Sequence, residues 1–180
     1  MKKIVWLNKS NRQLCVTIPK NSGIKEGDIV SIEKEKIKKI VYSPVTADLF
    51  HYGHLRLLEN ANTLGDFHIC GVVTDEAIKS YKKGPIAGLK ERMAIVSALR
   101  CIDMVVSQKN LDPTENLKQI HQQFKNAKLI LVCGSNWKKV LGSKFIKKIN
   151  GEVVQPSFYE KLSTENIVKK IFKTYGDKND

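Results

Sequence analysis

The sequence predicts an α/β fold: a doubly wound parallel sheet preceded by a small β-rich segment. Three observations predict it. From residue 38 onward, near-continuous apolar runs such as "FHICGVV" and "AKLILVCG" alternate with stretches of helical length and amphipathic pattern. Those runs carry few polar positions, which means burial on both faces, as in parallel strands covered by helices. The first forty residues differ, with short β-branched and aromatic runs separated by turn formers.

The elements follow in order. In the first segment, "KIVWLN", "QLCVTIP" and "DIVSIEKE" are strand-like, and "KSNR" and "PKNSGIKEGD" are turns, together a β-meander. It is too small to hold a core alone, so a second chain or the following domain must cover its apolar face. The boundary is drawn between segments 1–37 and 38–180. Beyond it the pattern predicts strand 39–45, helix 53–64, strand 67–73, helix 88–99, strand 102–106 and helix 114–125. Strand 128–133, helix 143–149, strand 152–155 and helix 164–173 complete the series. In such a sheet, ligands bind beyond the carboxyl ends of the strands.

Composition excludes several classes. The chain has 180 residues, 42% hydrophobic and 27% charged, enough apolar material for a core. No window approaches a membrane span, and the start "MKKIVWLNKS" is too short and polar for a secretory signal. Cys15, Cys70, Cys101 and Cys133 lack metal-ligand spacing and read as reduced thiols of a cytoplasmic protein. The formal net charge of +13 favours polyanionic partners such as nucleotides, phosphorylated metabolites or nucleic acid.

Two of the four histidines lie in "TADLFHYGHLRLLENA", directly after the first predicted parallel strand. Gly53 allows close approach of a ligand and opens the helix, with His51 before it and His54 in its first turn. A helix amino terminus already favours an anion. Two imidazoles there can donate to phosphate oxygens as charge builds in a transition state. Ser163 and Thr164 form a hydroxyl pair at the start of the last helix, either a plain N-cap or a phosphate contact. Lys82 and Lys83 occupy a "YKKGP" loop that can fold over a polyanion or stay a solvated pair. Arg92, in "LKERM", has a surface ion pair as its simplest reading. Trp137 either stacks on a ligand or packs in the core.

These residues resemble the nucleotidyltransferase superfamily, and within it the cytidylyltransferases, over about three quarters of the chain. The family's "GTFDxxHxGH" appears as "VTADLFHYGH", "TDEAIKSYKK" matches the segment after the second strand, and "EKLSTENI" stands where "EGISST" is usual. The resemblance implies a Rossmann-like sheet of the HxGH type. It implies His51, His54 and Lys82 as catalytic residues, and Thr46, Ala47, Asp48, Gly53, Arg92, Gly134, Asn136, Ser163 and Thr164 as nucleotide-binding. Lys82, Lys83, Trp137 and Tyr159 are implied for the acceptor, and Arg100 stands at a second family arginine position. The chain departs from the family pattern at Val45, Ala47, Ser135, Asn136, Phe158 and Lys161. The departures resemble the branch that acts on phosphonates, "SADLIHPGH" with "TDxAIxSYK".

The implied reaction is CTP-dependent transfer of CMP to a small phosphonate or phosphomonoester, such as 2-hydroxyethylphosphonate or 2-aminoethylphosphonate, with release of pyrophosphate. Mg²⁺ would accompany CTP, and no metal site of the protein's own is expected. The neutral Ser135 and Asn136 favour an uncharged or polar acceptor tail. An adenylyltransferase of the same superfamily, or a DNA-binding regulator that senses a nucleotide, are the alternatives. Over about one fifth of the chain, "NRQLCVTIPKNSGIKEGDIVSIE" is similar to the AbrB-type swapped-hairpin family, whose usual helix is shortened here to "KNS". That similarity implies a homodimer and, less directly, DNA binding.

Overall fold

The computed structural model describes residues 6–8, 10–30, 37–81, 83–135, 137–157 and 159–176. The chain divides into two compact units, Met1–Lys36 and Ile37–Asp180. In the first, β1 (Trp6–Leu7) pairs antiparallel with β2 (Leu14–Cys15). The shortened "KNS" stretch forms a single 3-10 turn, Lys20–Ser22. This unit does not bury its own Leu14, Ile18, Ile24 or Ile29. Most of the third predicted strand, residues 31–35, lies outside the described residues, and 28–30 are not strand.

The second unit holds a five-stranded parallel sheet in the order β5-β4-β3-β6-β7. Its strands are β3 (Lys39–Val45), β4 (Phe67–Val73), β5 (Met104–Gln108), β6 (Lys128–Val132) and β7 (Glu152–Val154). The helices are α1 (Tyr52–Asn62), α2 (Asp75–Lys79), α3 (Leu89–Ser97), α4 (Thr114–Gln123), α5 (Ser143–Lys148) and α6 (Thr164–Tyr175). All of β4 is buried, in keeping with its near-continuous apolar run, and the one polar side chain in it, His68, is buried too. The sequence pattern had not resolved α2 as a separate element. No helix among the described residues is long and apolar enough to cross a membrane.

Alternation along the strands divides the core. Ile40, Tyr42 and Ile69 pack with Leu117 of α4 and Ile146 of α5 on one face. Val45, Cys70 and Val72 pack with Leu58 of α1 and Val96 of α3 on the other. Tyr42 and Gln108 pair inside this core, whereas Nδ1 of His121, beside Phe145, is buried without a hydrogen-bond partner among the described residues. The Tyr42 hydroxyl donates to Gln108 Oε1 at 2.8 Å, in space that Gly71 leaves open. A Cβ on Gly71 would fall on the phenol. Burial pushes the Tyr42 hydroxyl pKa far up, so it remains a donor.

The chain runs from β3 outward through β4 and β5, then returns to place β6 on the other side of β3. The carboxyl ends of β3 and β6 therefore flank the switch point of the sheet, where this architecture opens a crevice. The loops after these two strands, residues 46–51 and 133–142, carry Thr46, Ala47, Asp48, His51, Gly134 and Trp137 of the sequence-predicted site.

Candidate active site

His51 is the N-cap of α1, with extended backbone. Its Nδ1 accepts from the Gly53 amide at 3.1 Å, and Nδ1 of His54 accepts from the His51 amide at 3.4 Å. Each imidazole thus satisfies a backbone donor that a helix start leaves unpaired. Because Nδ1 is the acceptor in both rings, each neutral ring carries its proton on Nε2. Burial lowers the His51 pKa, which favours that neutral form. The two ring centroids are 4.0 Å apart, and His54 stacks on Phe50 at 5.4 Å.

Gly53 makes this arrangement possible. A Cβ there would stand 2.9 Å from Cε1 of His51 and 3.3 Å from the Leu162 carbonyl oxygen. The glycine therefore lets the imidazole fold back over its own helix. It also lets the segment before α6 approach α1. The two helix starts meet at one edge, bringing their unpaired amides and dipoles together. Ser163 caps α6 through the Asn166 amide at 3.1 Å, and the Thr164 hydroxyl donates to the Asp48 carbonyl at 3.2 Å.

The loop leading into His51 has unusual backbone. Ala47 and Leu49 have φ of 57° and 46°, the left-handed region that L side chains rarely adopt. Such residues cost on the order of 1–3 kcal/mol each and persist where surroundings hold them. Here the surroundings are specific. Ala47 is buried, the Asp48 carbonyl takes Thr164, and the Thr46 carbonyl takes Nη1 of Arg92.

Arg92 is a correction to the sequence reading. It is neither a surface residue nor paired with Glu91. Its side chain has no exposure, and Nη2 donates to Asp75 Oδ1 at 2.5 Å. Nε donates to the Ala87 carbonyl at 3.0 Å. With no exposure and each of its three nitrogens donating to a protein oxygen, Arg92 braces the site rather than presenting a cation to a nucleotide. Asp48 also turns inward: its carboxylate accepts the Ile86 and Ala87 amides at 3.1 Å. The Thr46 hydroxyl lies 3.4 Å from that of Tyr81. Thr46 and Asp48 thus tether both flanks of the lysine loop to the histidine loop.

Lys83 is exposed in that loop, while Lys82 and Asn136 lie outside the described residues, as does Phe158. Gly134 is buried after β6, and its carbonyl accepts from the Trp137 amide and from Gln155, each at 3.2 Å. Trp137 lines an apolar cleft at the carboxyl ends of β3, β4, β5 and β6. Tyr159 is not in its wall. That ring sits edge-on to Tyr52 at 5.1 Å, with Arg56 of α1 5.8 Å from its centroid. The two aromatic residues expected to share the acceptor site are therefore apart. Arg100 precedes β5 and so belongs to the amino ends of the strands, away from this edge.

Residues absent from the sequence-derived set also enter. Asp75 anchors Arg92, and Tyr81 closes on Thr46. Their signal was the "TDEAIKSY" stretch, in which Thr74 caps α2 by accepting from Ala77. The remaining buried groups are structural. His68 donates from Nδ1 to the Cys101 carbonyl at 2.8 Å and accepts Ser43 on Nε2 at 2.9 Å. Cys70, Cys101 and Cys133 are buried free thiols with raised pKa, Cys133 to about 11, hence unreactive.

A strand-order switch point, two helix starts and a reciprocally capped histidine pair together form a Rossmann-like sheet edge of the kind that can hold a phosphate group. The chain belongs to the cytidylyltransferase-like family, whose model matches residues 44–170. It is similar to the bifunctional protein HldE of Geobacter sulfurreducens, 32% identical over 153 residues, which is 83% of this chain and 30% of that protein. HldE of Actinobacillus succinogenes is 35% identical over 146 residues, 79% and 29% respectively. The chain thus spans about a third of the length of these curated relatives. Among solved structures, a lipopolysaccharide core biosynthesis protein from Thermoplasma volcanium shares the fold. Its TM-score is 0.55 at 24% identity, over 68% of this chain and 98% of that one. A putative nicotinate-nucleotide adenylyltransferase from Vibrio parahaemolyticus gives 0.50 at 15%, over 76% and 88%.

Proposed function

We propose that this domain transfers CMP from magnesium–CTP to the oxygen of a small phosphonate or phosphomonoester, releasing pyrophosphate. The observation that carries the proposal is the histidine pair: two imidazoles that each accept a backbone amide on Nδ1 at the start of α1, beside the start of α6. The acceptor oxygen forms a bond to the α-phosphorus, and the bond from that phosphorus to the bridging oxygen breaks. The electron pair leaves with pyrophosphate. A phosphonate or phosphate oxygen is already anionic, so no side chain need act as base. His51 and His54 contribute hydrogen bonds that strengthen as negative charge grows on the phosphoryl oxygens.

Magnesium enters with the nucleotide. Among the described residues no group of three His, Cys, Asp or Glu side chains could hold an ion, and the Asp48 carboxylate is occupied by two amides. Magnesium commonly binds through substrate phosphates with few protein ligands, which suits this site. Lys83 and Lys82 supply charge from the tethered loop.

The test is phosphorus NMR of the protein with Mg²⁺, CTP or ATP, and a panel of phosphonates and phosphomonoesters. A new phosphorus–phosphorus anhydride and free pyrophosphate with CTP are expected. Product from ATP alone would reassign the donor base, and no product from either would refute the transfer.

A further inference from the structure

Asp48 stands where three segments of the site meet. Its carboxylate accepts the amides of Ile86 and Ala87 at 3.1 Å, and its carbonyl accepts the Thr164 hydroxyl at 3.2 Å. The residue is buried, and both its neighbours, Ala47 and Leu49, hold left-handed backbone. Such a cost persists where surrounding contacts fix the loop. The lysine loop is held at both ends from this same short stretch. Before it, the Tyr81 hydroxyl lies 3.4 Å from that of Thr46. After it, Ala87 is fixed twice. Asp48 takes its amide, and Nε of Arg92 takes its carbonyl, while Nη1 of the same arginine takes the Thr46 carbonyl. Only Lys82, Lys83, Gly84 and Pro85 lie between the two anchored ends.

We propose that Asp48 is a positioning residue, through which the histidine loop and the start of α6 hold the lysine loop in register with the reacting phosphates. The proposal rests on the transfer reading for its effect on turnover. It goes further by assigning Asp48 and Thr164 to this link rather than to direct contact with the nucleotide. The Thr164 hydroxyl has one proton, and that proton is given to the Asp48 carbonyl. The Asp48 carboxylate has the same sign of charge as a phosphate and would repel it, but it suits two backbone amides.

The experiment pairs a double-mutant cycle with amide hydrogen exchange of the full chain. The cycle reads pyrophosphate release from magnesium–CTP with the panel of phosphonates and phosphomonoesters. Asp48→Ala should lower turnover on the order of 10²-fold, as for a group misplaced by about 1 Å. Added to Lys82→Ala/Lys83→Ala, it should lower turnover by less than about threefold further, because the groups that it positions are already gone. Asp48→Asn keeps one acceptor oxygen and should return turnover to within about tenfold of the wild type. Asp48→Ala and Thr164→Val should each speed exchange of the Ile86 and Ala87 amides at least about tenfold, with exchange in β5 unchanged. Should Asp48→Ala fail to fold, Thr164→Val, which keeps the side-chain shape and loses only the donor, carries the exchange test. Unchanged loop exchange in either variant overturns the proposal. Additive losses in the cycle, or full turnover in the lysine variant, overturn it too. If exchange responds as expected and the wild type releases no pyrophosphate, the link through Asp48 stands and the transfer reading falls.

Discussion

Arg92 and Asp75 form an ion pair of 2.5 Å in which the arginine side chain has no exposure and the aspartate is 31% exposed. The same guanidinium holds the Thr46 and Ala87 carbonyls, so one side chain links α3, α2 and the histidine loop. Arg92→Ala would leave two carbonyls and a carboxylate short of a partner. Breaking a buried pair in this way costs roughly 3–5 kcal/mol. Urea denaturation should show a loss of that order, and a loss within about 0.5 kcal/mol would mean an ordinary surface arginine.

Gly53→Ala separates stability from geometry. Alanine is preferred over glycine in a helix interior by about 0.8–1.0 kcal/mol, but in this first turn the new Cβ also meets the Leu162 carbonyl oxygen at 3.3 Å, which offsets that gain. The same Cβ would stand 2.9 Å from the His51 ring and displace it. Turnover should fall on the order of 10²-fold, as for a catalytic group misplaced by about 1 Å, while the melting temperature changes little. Equal activity in the two proteins would show that the His51 position is not critical.

The contrast between these residues shows what was legible. Strands β3 and β4 could be read from "KIVYSPV" and "FHICGVV", because burial on both faces leaves a mark on every position. The site loops were legible through His51, Gly53, His54, Ser163 and Thr164, whose residue types suit helix starts. Arg92 was misread because its acceptors are carbonyls at Thr46 and Ala87, far off in sequence or in an irregular turn. One signal was available: Leu89, Arg92 and Val96 share a helix face at spacings of three and four, so the arginine lies on a buried stripe. The inward turn of Asp48 had no comparable mark, since amides at Ile86 and Ala87 leave no trace in side-chain pattern. Helix α2, five residues long, is too short for periodicity to declare.

Buried His68 makes stability depend on pH. Burial lowers its pKa from 6.5 to about 4. Between those values the unfolded chain binds a proton that the folded chain does not, so stability rises with pH. The contribution is complete above pH 6.5 and is lost as pH falls towards 4, at roughly 3 kcal/mol in total. Urea midpoints at pH 7 and pH 4 should therefore diverge more for the wild type than for His68→Gln. Equal divergence would mean that His68 is not held neutral.

The first unit is expected to join two copies of the chain. Its β1–β2 ribbon leaves Leu14, Ile24 and Ile29 unburied by its own residues, and an isolated two-stranded hairpin is marginal in water. Light scattering should give a dimer for the full chain and a monomer or aggregate for residues 37–180. A truncated chain that remains a stable dimer would move the interface to the parallel-sheet unit.

The central claim is that His51 and His54 stabilise a phosphoryl transition state. Pyrophosphate release from magnesium–CTP with a phosphonate acceptor tests it, comparing wild type with His51→Ala and His54→Ala. Each variant should fold normally and lose roughly 10²- to 10³-fold in turnover, the range for removing one preorganised donor. Full turnover in both variants would contradict the account.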